Sequence, residues 1–208
     1  MRIQSATEEK LNTITHAIGA VFGIIALALL IVSDTRKTDY SLTSVIIYGF
    51  SIIILFSASA FYHAAKTERK KRFLRIIDHI SIYLLIAGTY TPVLLITLEQ
   101  SLGWTLFYVV WGIAVFGVVL KTFFTGRFEL FSTLLYLAMG WLIIFDFTTL
   151  SQLIDANGIL FLFAGGVAYT VGIIFYVIEK IPYNHVIWHI FVLAGAIFHF
   201  LMIFLYVI

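Results

Sequence analysis

The chain has 208 residues, of which 62% are hydrophobic and 12% are charged, with a formal net charge of +2 at pH 7. Soluble domains are roughly half apolar and about a quarter charged, so this composition excludes that class, and the 20 Phe, 11 Tyr and 4 Trp exclude a disordered chain. The small net charge gives no reason to expect a nucleic-acid partner, and the lack of cysteine excludes disulfides and thiolate metal ligands.

The apolar residues form windows free of charge, each about as long as the ~20 residues that a helix needs to cross a membrane. Backbone groups in lipid must be hydrogen-bonded within a helix or a closed barrel, and these windows lack the alternation of barrel strands. We therefore predict an all-α membrane protein, a single domain of seven transmembrane helices, and we expect Asp146 to reach water at the outer end of the fifth. The windows cover residues 14–32, 42–62, 80–98, 102–120, 130–149, 158–178 and 186–208.

The positions of Lys and Arg predict how the helices are oriented. Eleven of the 13 basic residues, Arg2 among them, lie in the N-terminal segment or in the second, fourth and sixth connections, whereas only Arg36 and Lys37 lie in the first connection. Basic residues accumulate on the cytoplasmic side of membrane proteins. This pattern predicts a cytoplasmic N-terminus and a C-terminus outside.

Ionisable side chains at membrane depth are costly and therefore point to function. The predicted topology brings His63, at the end of the second span, to the same cytoplasmic layer as Asp78, at the start of the third. His185 and His189 begin the seventh span and reach that layer too. Ser59 and His63 are four residues apart, as are the two later histidines, so each pair shares one helix face.

Histidines that converge from separate helices can bind one metal ion, and we predict His63, His185 and His189 as its ligands. Zn²⁺ held by three histidines keeps a fourth position for a reactive water. Asp78 would accept a proton from that water or orient it, and Ser59 would hydrogen-bond a substrate carbonyl or a neighbouring ligand. The same ligand types also suit Fe²⁺, Mn²⁺ and Ni²⁺.

The remaining histidines are predicted to have supporting roles. His79 follows Asp78 and points about 100° away on a helix, which favours an interfacial or supporting residue. His16 could line the cavity, but an interfacial histidine with its hydrogen bonds satisfied is the favoured interpretation. His199 lies about 15 Å further along its helix than His189, which favours packing.

These motifs resemble the bacterial haemolysin III family. The resemblance rests on the runs SASAFYHAAK, IDHISIYLLIAGTYTP and NHVIWHIF, with EEKLNTITHAIGA near the beginning. That family belongs with the progestin and adipoQ receptors, including the adiponectin receptors, in a wider group of membrane hydrolases that contains alkaline ceramidases. Its signature is S-x-x-x-H, an Asp and H-x-x-x-H, which fall here on Ser59 and His63, on Asp78, and on His185 and His189.

The resemblance implies a zinc site on the cytoplasmic side of a bacterial inner membrane protein, and ceramidase-like hydrolysis of a lipid amide or ester. Membrane lipids would then be substrates or ligands, and lipid composition or fluidity would be the property affected. Two alternatives stay open: a sensor or receptor with a structural zinc, and a cytolytic protein. A haem carrier is disfavoured because the histidines gather at one interface, and a retinal protein because no lysine lies mid-span.

Overall fold

The computed structural model describes residues 4–208, so Arg2 lies outside the described residues. Over that range all regular structure is helical, with no strand. Seven of the helices are long and apolar enough to cross a membrane, which confirms the predicted fold class. The side of the membrane on which each terminus lies and the single-domain organisation stay predictions.

The helices follow one another with short connections. Their bounds are α1 (Ala6–Ser33), α2 (Ser41–Ala64), α3 (Glu68–Pro92) with a π-helical continuation (Val93–Thr97), α4 (Gly103–Phe124), α5 (Glu129–Gly140), a 3₁₀ segment (Leu142–Asp146), α6 (Phe147–Leu153), α7 (Ala156–Val177) and α8 (Asn184–Met202) with a π-helical continuation (Ile203–Val207). The fifth span consists of α5, the 3₁₀ segment and α6.

Two helices begin well before the charge-free windows. A capping box starts α1, in which the Ser5 hydroxyl accepts from the Glu8 backbone N–H at 3.2 Å and the Glu8 carboxylate accepts from the Ser5 N–H at 2.8 Å. Helix α3 begins at Glu68, so most of the basic second connection lies on its first turns. Charged residues are disfavoured in lipid but can form part of a helix, so these two helices begin earlier in the sequence than the charge-free windows do.

The fifth span is interrupted where α5 ends at Gly140. The Tyr90 hydroxyl donates to the Gly140 carbonyl at 2.8 Å and accepts from the Ile143 N–H at 3.0 Å, so α3 supplies hydrogen bonds that the broken helix lacks. The expectation that Asp146 reaches water is wrong. Asp146 is buried, and its carboxylate accepts from the Leu102 N–H at 3.0 Å at the start of α4.

The core lies among the early helices and α8. Helix α1 packs along α2 and against α8, α2 packs along α3, and α7 packs along α8. Tyr48, Phe56 and Tyr83 are fully buried there, whereas large apolar side chains such as Val32 and Phe123 stay exposed on the outer surface, as lipid-facing residues do. The starts of α1, α3 and α8 and the end of α2 share one end of the bundle, and the candidate site lies at that end.

Candidate metal centre

The three predicted ligands meet at one end of the bundle. His63 lies near the end of α2, and His185 and His189 lie in the first two turns of α8. Each offers one ring nitrogen, and these atoms all lie within 4.8 Å of one another. His63 and His189 are buried and His185 is half-buried. The structure therefore contains a possible three-histidine metal site.

The hydrogen bonding of His63 fits a metal ligand. Its Nδ1 lies 2.6 Å from the Glu9 carboxylate, while its Nε2 is buried and has no hydrogen-bond partner. A buried polar atom without a partner needs a reason, and coordination of an ion supplies one. A donor set of imidazoles without thiolate suits Zn²⁺ among other first-row ions.

The two predicted catalytic residues lie beside these histidines. Ser59 and Asp78 line the same pocket as His185 and His189. Ser59 is buried one helical turn before the ligand on α2, and the Asp78 Oδ2 lies 3.5 Å from the Nδ1 of its neighbour His79. All five residues singled out from the sequence are thus brought together, while their chemical roles stay predictions.

His79 connects this pocket to a cluster of charges on α3, α4 and α5. Its Nδ1 donates to the Arg75 backbone carbonyl at 2.8 Å, and its Nε2 lies 3.9 Å from Glu129 Oε2. That carboxylate also accepts from Lys121 at 2.8 Å and from the Arg75 guanidinium at 3.3 Å. His79 therefore supports the bundle around Asp78, in agreement with the role predicted for it.

The favoured interpretation of His16 is wrong, and the alternative, that it lines the cavity, agrees with the structure. This residue is not a satisfied interfacial histidine: it is buried, neither ring nitrogen has a hydrogen-bond partner, and it lines the pocket. Its ring stacks on that of His189, with centroids 3.5 Å apart. The signal that points to it is the spacing of Glu9, Asn12 and His16, which puts three polar residues on one face of α1.

His199 packs within the bundle, as predicted. Its Nε2 donates to the Leu162 carbonyl of α7 at 3.2 Å. A Cβ on Gly165 would lie 2.3 Å from the same ring, so a glycine on α7 is needed for this close approach. His199 is thus part of the α7–α8 contact.

An apolar cavity adjoins the histidine pocket, and the sequence did not predict it. It holds about 900 Å³ of space, part of it open at the bundle surface, between α3, α5, α7 and α8. A second cavity continues it towards the opposite end of the bundle, past Trp141, Gly166 and His199. The residues that line both the first cavity and the histidine pocket are Leu55, Ile82, Tyr176, Trp188 and Val192.

Comparison with known proteins places the chain in a family. The family model described as Haemolysin-III related matches residues 4–200. The chain belongs to this family. Hemolysin-3 of Bacillus cereus is 44% identical over 206 residues, which cover 99% of this chain and 94% of the relative. The Hemolysin-3 homolog of Bacillus subtilis (strain 168) is 44% identical over 200 residues, which cover 96% and 94%.

A more distant relative extends the likeness beyond bacteria. The human Monocyte to macrophage differentiation factor is 28% identical over 209 residues, which cover 96% of this chain and 84% of the relative. It is an adiponectin-receptor-like protein, so the resemblances to the haemolysin III family and to the adiponectin receptors are both confirmed. The chain is a multi-pass membrane protein of a bacterial-type family.

Proposed function

We propose that this protein is a zinc-dependent hydrolase that cleaves an amide or ester bond of a membrane lipid, in the bacterial inner membrane and on its cytoplasmic side. The observation that carries the proposal is the possible three-histidine site, which lies beside Asp78 and Ser59 and adjoins an apolar cavity. Three histidines leave a coordination position for water or substrate, as in catalytic zinc sites. When bound, zinc supplies Lewis acidity towards a carbonyl oxygen and makes water nucleophilic near neutral pH.

The cavity supports a lipid as the substrate. Ligand pockets have mostly apolar walls with a few polar groups. This cavity has such walls, and its lining includes Leu85, Ile86 and Leu137. An acyl chain held there would bring its carbonyl group to the histidine end, where this cavity and the pocket share walls. Affecting membrane lipid composition or fluidity is the cellular role that we infer.

Asp78 and Ser59 would carry out the proton transfer and the charge stabilisation. As a water oxygen bonds to the carbonyl carbon, Asp78 accepts the proton that the water loses. Asp78 then returns that proton to the leaving nitrogen or oxygen as its bond to the carbonyl carbon breaks. The Ser59 hydroxyl donates a hydrogen bond to the carbonyl oxygen, on which negative charge develops.

The test measures fatty-acid release from ceramide and from an ester phospholipid by the zinc-loaded protein in lipid nanodiscs. Loss of a general acid or base costs roughly 10²- to 10⁴-fold in rate, so we expect that loss in Asp78→Asn. Asp39→Asn is the matched control, because Asp39 is exposed near the other end of the bundle. Equal release by wild type and Asp78→Asn would contradict the catalytic assignment. No release from either lipid would favour a sensor or receptor with a structural metal.

A further inference from the structure

Helix α1 contributes a carboxylate, that of Glu9, to the surroundings of the candidate metal site. Glu9 follows the capping box and is half-buried, with 21% of its side chain exposed. One carboxylate oxygen lies 2.6 Å from His63 Nδ1, and the other accepts a hydrogen bond from Lys71 Nζ. Glu9 on α1 therefore joins His63 on α2 to Lys71 on α3.

This contact determines which nitrogen of His63 is available to an ion. A carboxylate only accepts hydrogen bonds, so His63 Nδ1 must carry the proton that it donates to Glu9. Nε2 is then the nitrogen with the free lone pair, and it is the buried atom without a partner. The His63 ring lies beside the other two ligands, with its centroid 5.2 Å from that of His185 and 4.9 Å from that of His189.

We infer that Glu9 is a positioning residue of the metal site, which fixes the tautomer and the ring orientation of His63. The inference rests on the proposed function, because it requires an ion at the three histidines. Histidines that bind metals commonly donate their second ring N–H to a carboxylate, which also makes the ring a better ligand. Lys71, with 31% of its side chain exposed, holds the other Glu9 oxygen and keeps the carboxylate in place.

A Glu9–Lys71 ion pair that only joined helices would leave metal binding unchanged, and this separates the two interpretations. The experiment measures zinc affinity by chelator competition for the full chain in nanodiscs. Loss of such a supporting carboxylate typically costs 10- to 100-fold in metal affinity, and we expect about that loss for Glu9→Gln. Glu68→Gln makes the same charge change at the exposed start of α3, so its affinity should match that of wild type.

A second readout uses Co²⁺ in place of zinc, because its visible spectrum reports the number and geometry of its ligands. We expect the spectrum to change in Glu9→Gln and to stay unchanged in Glu68→Gln. If Glu9→Gln does not fold, Lys71→Gln is measured in its place. This variant removes the contact that keeps the Glu9 carboxylate in position, so we expect it to bind zinc more weakly than wild type. If the folded variant binds zinc with wild-type affinity and its Co²⁺ spectrum is unchanged, the inference about Glu9 is overturned while the proposed function is not affected. Failure of wild type to bind zinc would overturn the proposed function as well.

Discussion

The imidazole rings of His16 and His189 stack face to face, with centroids 3.5 Å apart and planes inclined by 14°. The stack makes α1 one wall of the candidate metal centre, against a ligand that α8 contributes near the other end of the chain. The rings of His16 and Phe56 of α2 also form a T-shaped contact, with centroids 5.0 Å apart. His16 is thus packed against two rings, and its two ring nitrogens stay buried without hydrogen-bond partners.

That burial predicts that His16 lowers the stability of the metal-free protein. A buried polar group without a partner costs roughly 1–3 kcal/mol, so we expect His16→Phe to raise the free energy of unfolding by about that amount. Phenylalanine preserves a ring against His189 while it removes both nitrogens. The measurement is equilibrium unfolding of the metal-free protein in mixed micelles.

His199→Phe is the matched control for this prediction. His199 donates to the Leu162 carbonyl and packs closely on Gly165, so the same substitution there loses a hydrogen bond and strains a tight contact. We expect that variant to be less stable than wild type. If His16→Phe were destabilised to the same degree, the interpretation of His16 as a residue retained at a cost in stability would be wrong.

Filling the apolar cavity should weaken the binding of a lipid chain. Gly166 lines both cavities, and a Cβ there would meet only Trp141, at 3.6 Å, which is ordinary contact. We therefore expect Gly166→Leu to fold, since leucine has a better helix propensity than glycine, and to weaken the binding of a long-chain fatty acid. Isothermal titration against fatty acids of increasing length measures this, with an expected loss of about 10-fold for the longest chain, on the order of 1.4 kcal/mol.

The control for the cavity variant is Gly112→Leu. A Cβ at Gly112 on α4 meets no atom within 4 Å, so leucine there projects into open space. This variant should bind every chain length as wild type does. If Gly166→Leu bound the longest chain unchanged, the cavity would not be the binding site of the chain.

The predicted orientation can be tested because the chain has no cysteine. A cysteine introduced as Lys70→Cys lies on the exposed first turn of α3, and Asp39→Cys lies in the exposed connection before α2. In intact cells, we expect a membrane-impermeant maleimide to label Asp39→Cys and to label Lys70→Cys only after permeabilisation, because most basic residues lie on the Lys70 side. The reverse labelling would put the histidines at the outer face.

The sequence is enough to predict the seven spans and the five residues that meet at the site. Apolar windows fix the spans, and the alternation of helix direction brings His63 and Asp78 to the layer of His185. The bounds are less predictable, because charged residues such as Glu68 and Lys71 continue a helix beyond the lipid.

Features that depend on distant contacts could not be predicted. The break in the fifth span is held by Tyr90, which lies 50 residues from Gly140 in the sequence. The sequence indicates a polar face on α1 but not what that face contacts. Glu9 contacts His63 of α2 and the His16 ring stacks on His189 of α8, and these contacts exist only when the three helices pack together. The cavity could not be predicted from the sequence either, because it is a space between side chains of several helices and not a pattern of residues.

The central claim is that His63, His185 and His189 bind one metal ion, and metal analysis of the purified protein tests it most directly. We expect wild type to contain about one zinc per chain, as a single three-histidine site requires, and His63→Ala, His185→Ala and His189→Ala each to lose it. His199→Ala, which removes a histidine outside the cluster, should retain zinc. Wild type without metal, or zinc retained in all three ligand variants, would contradict the claim.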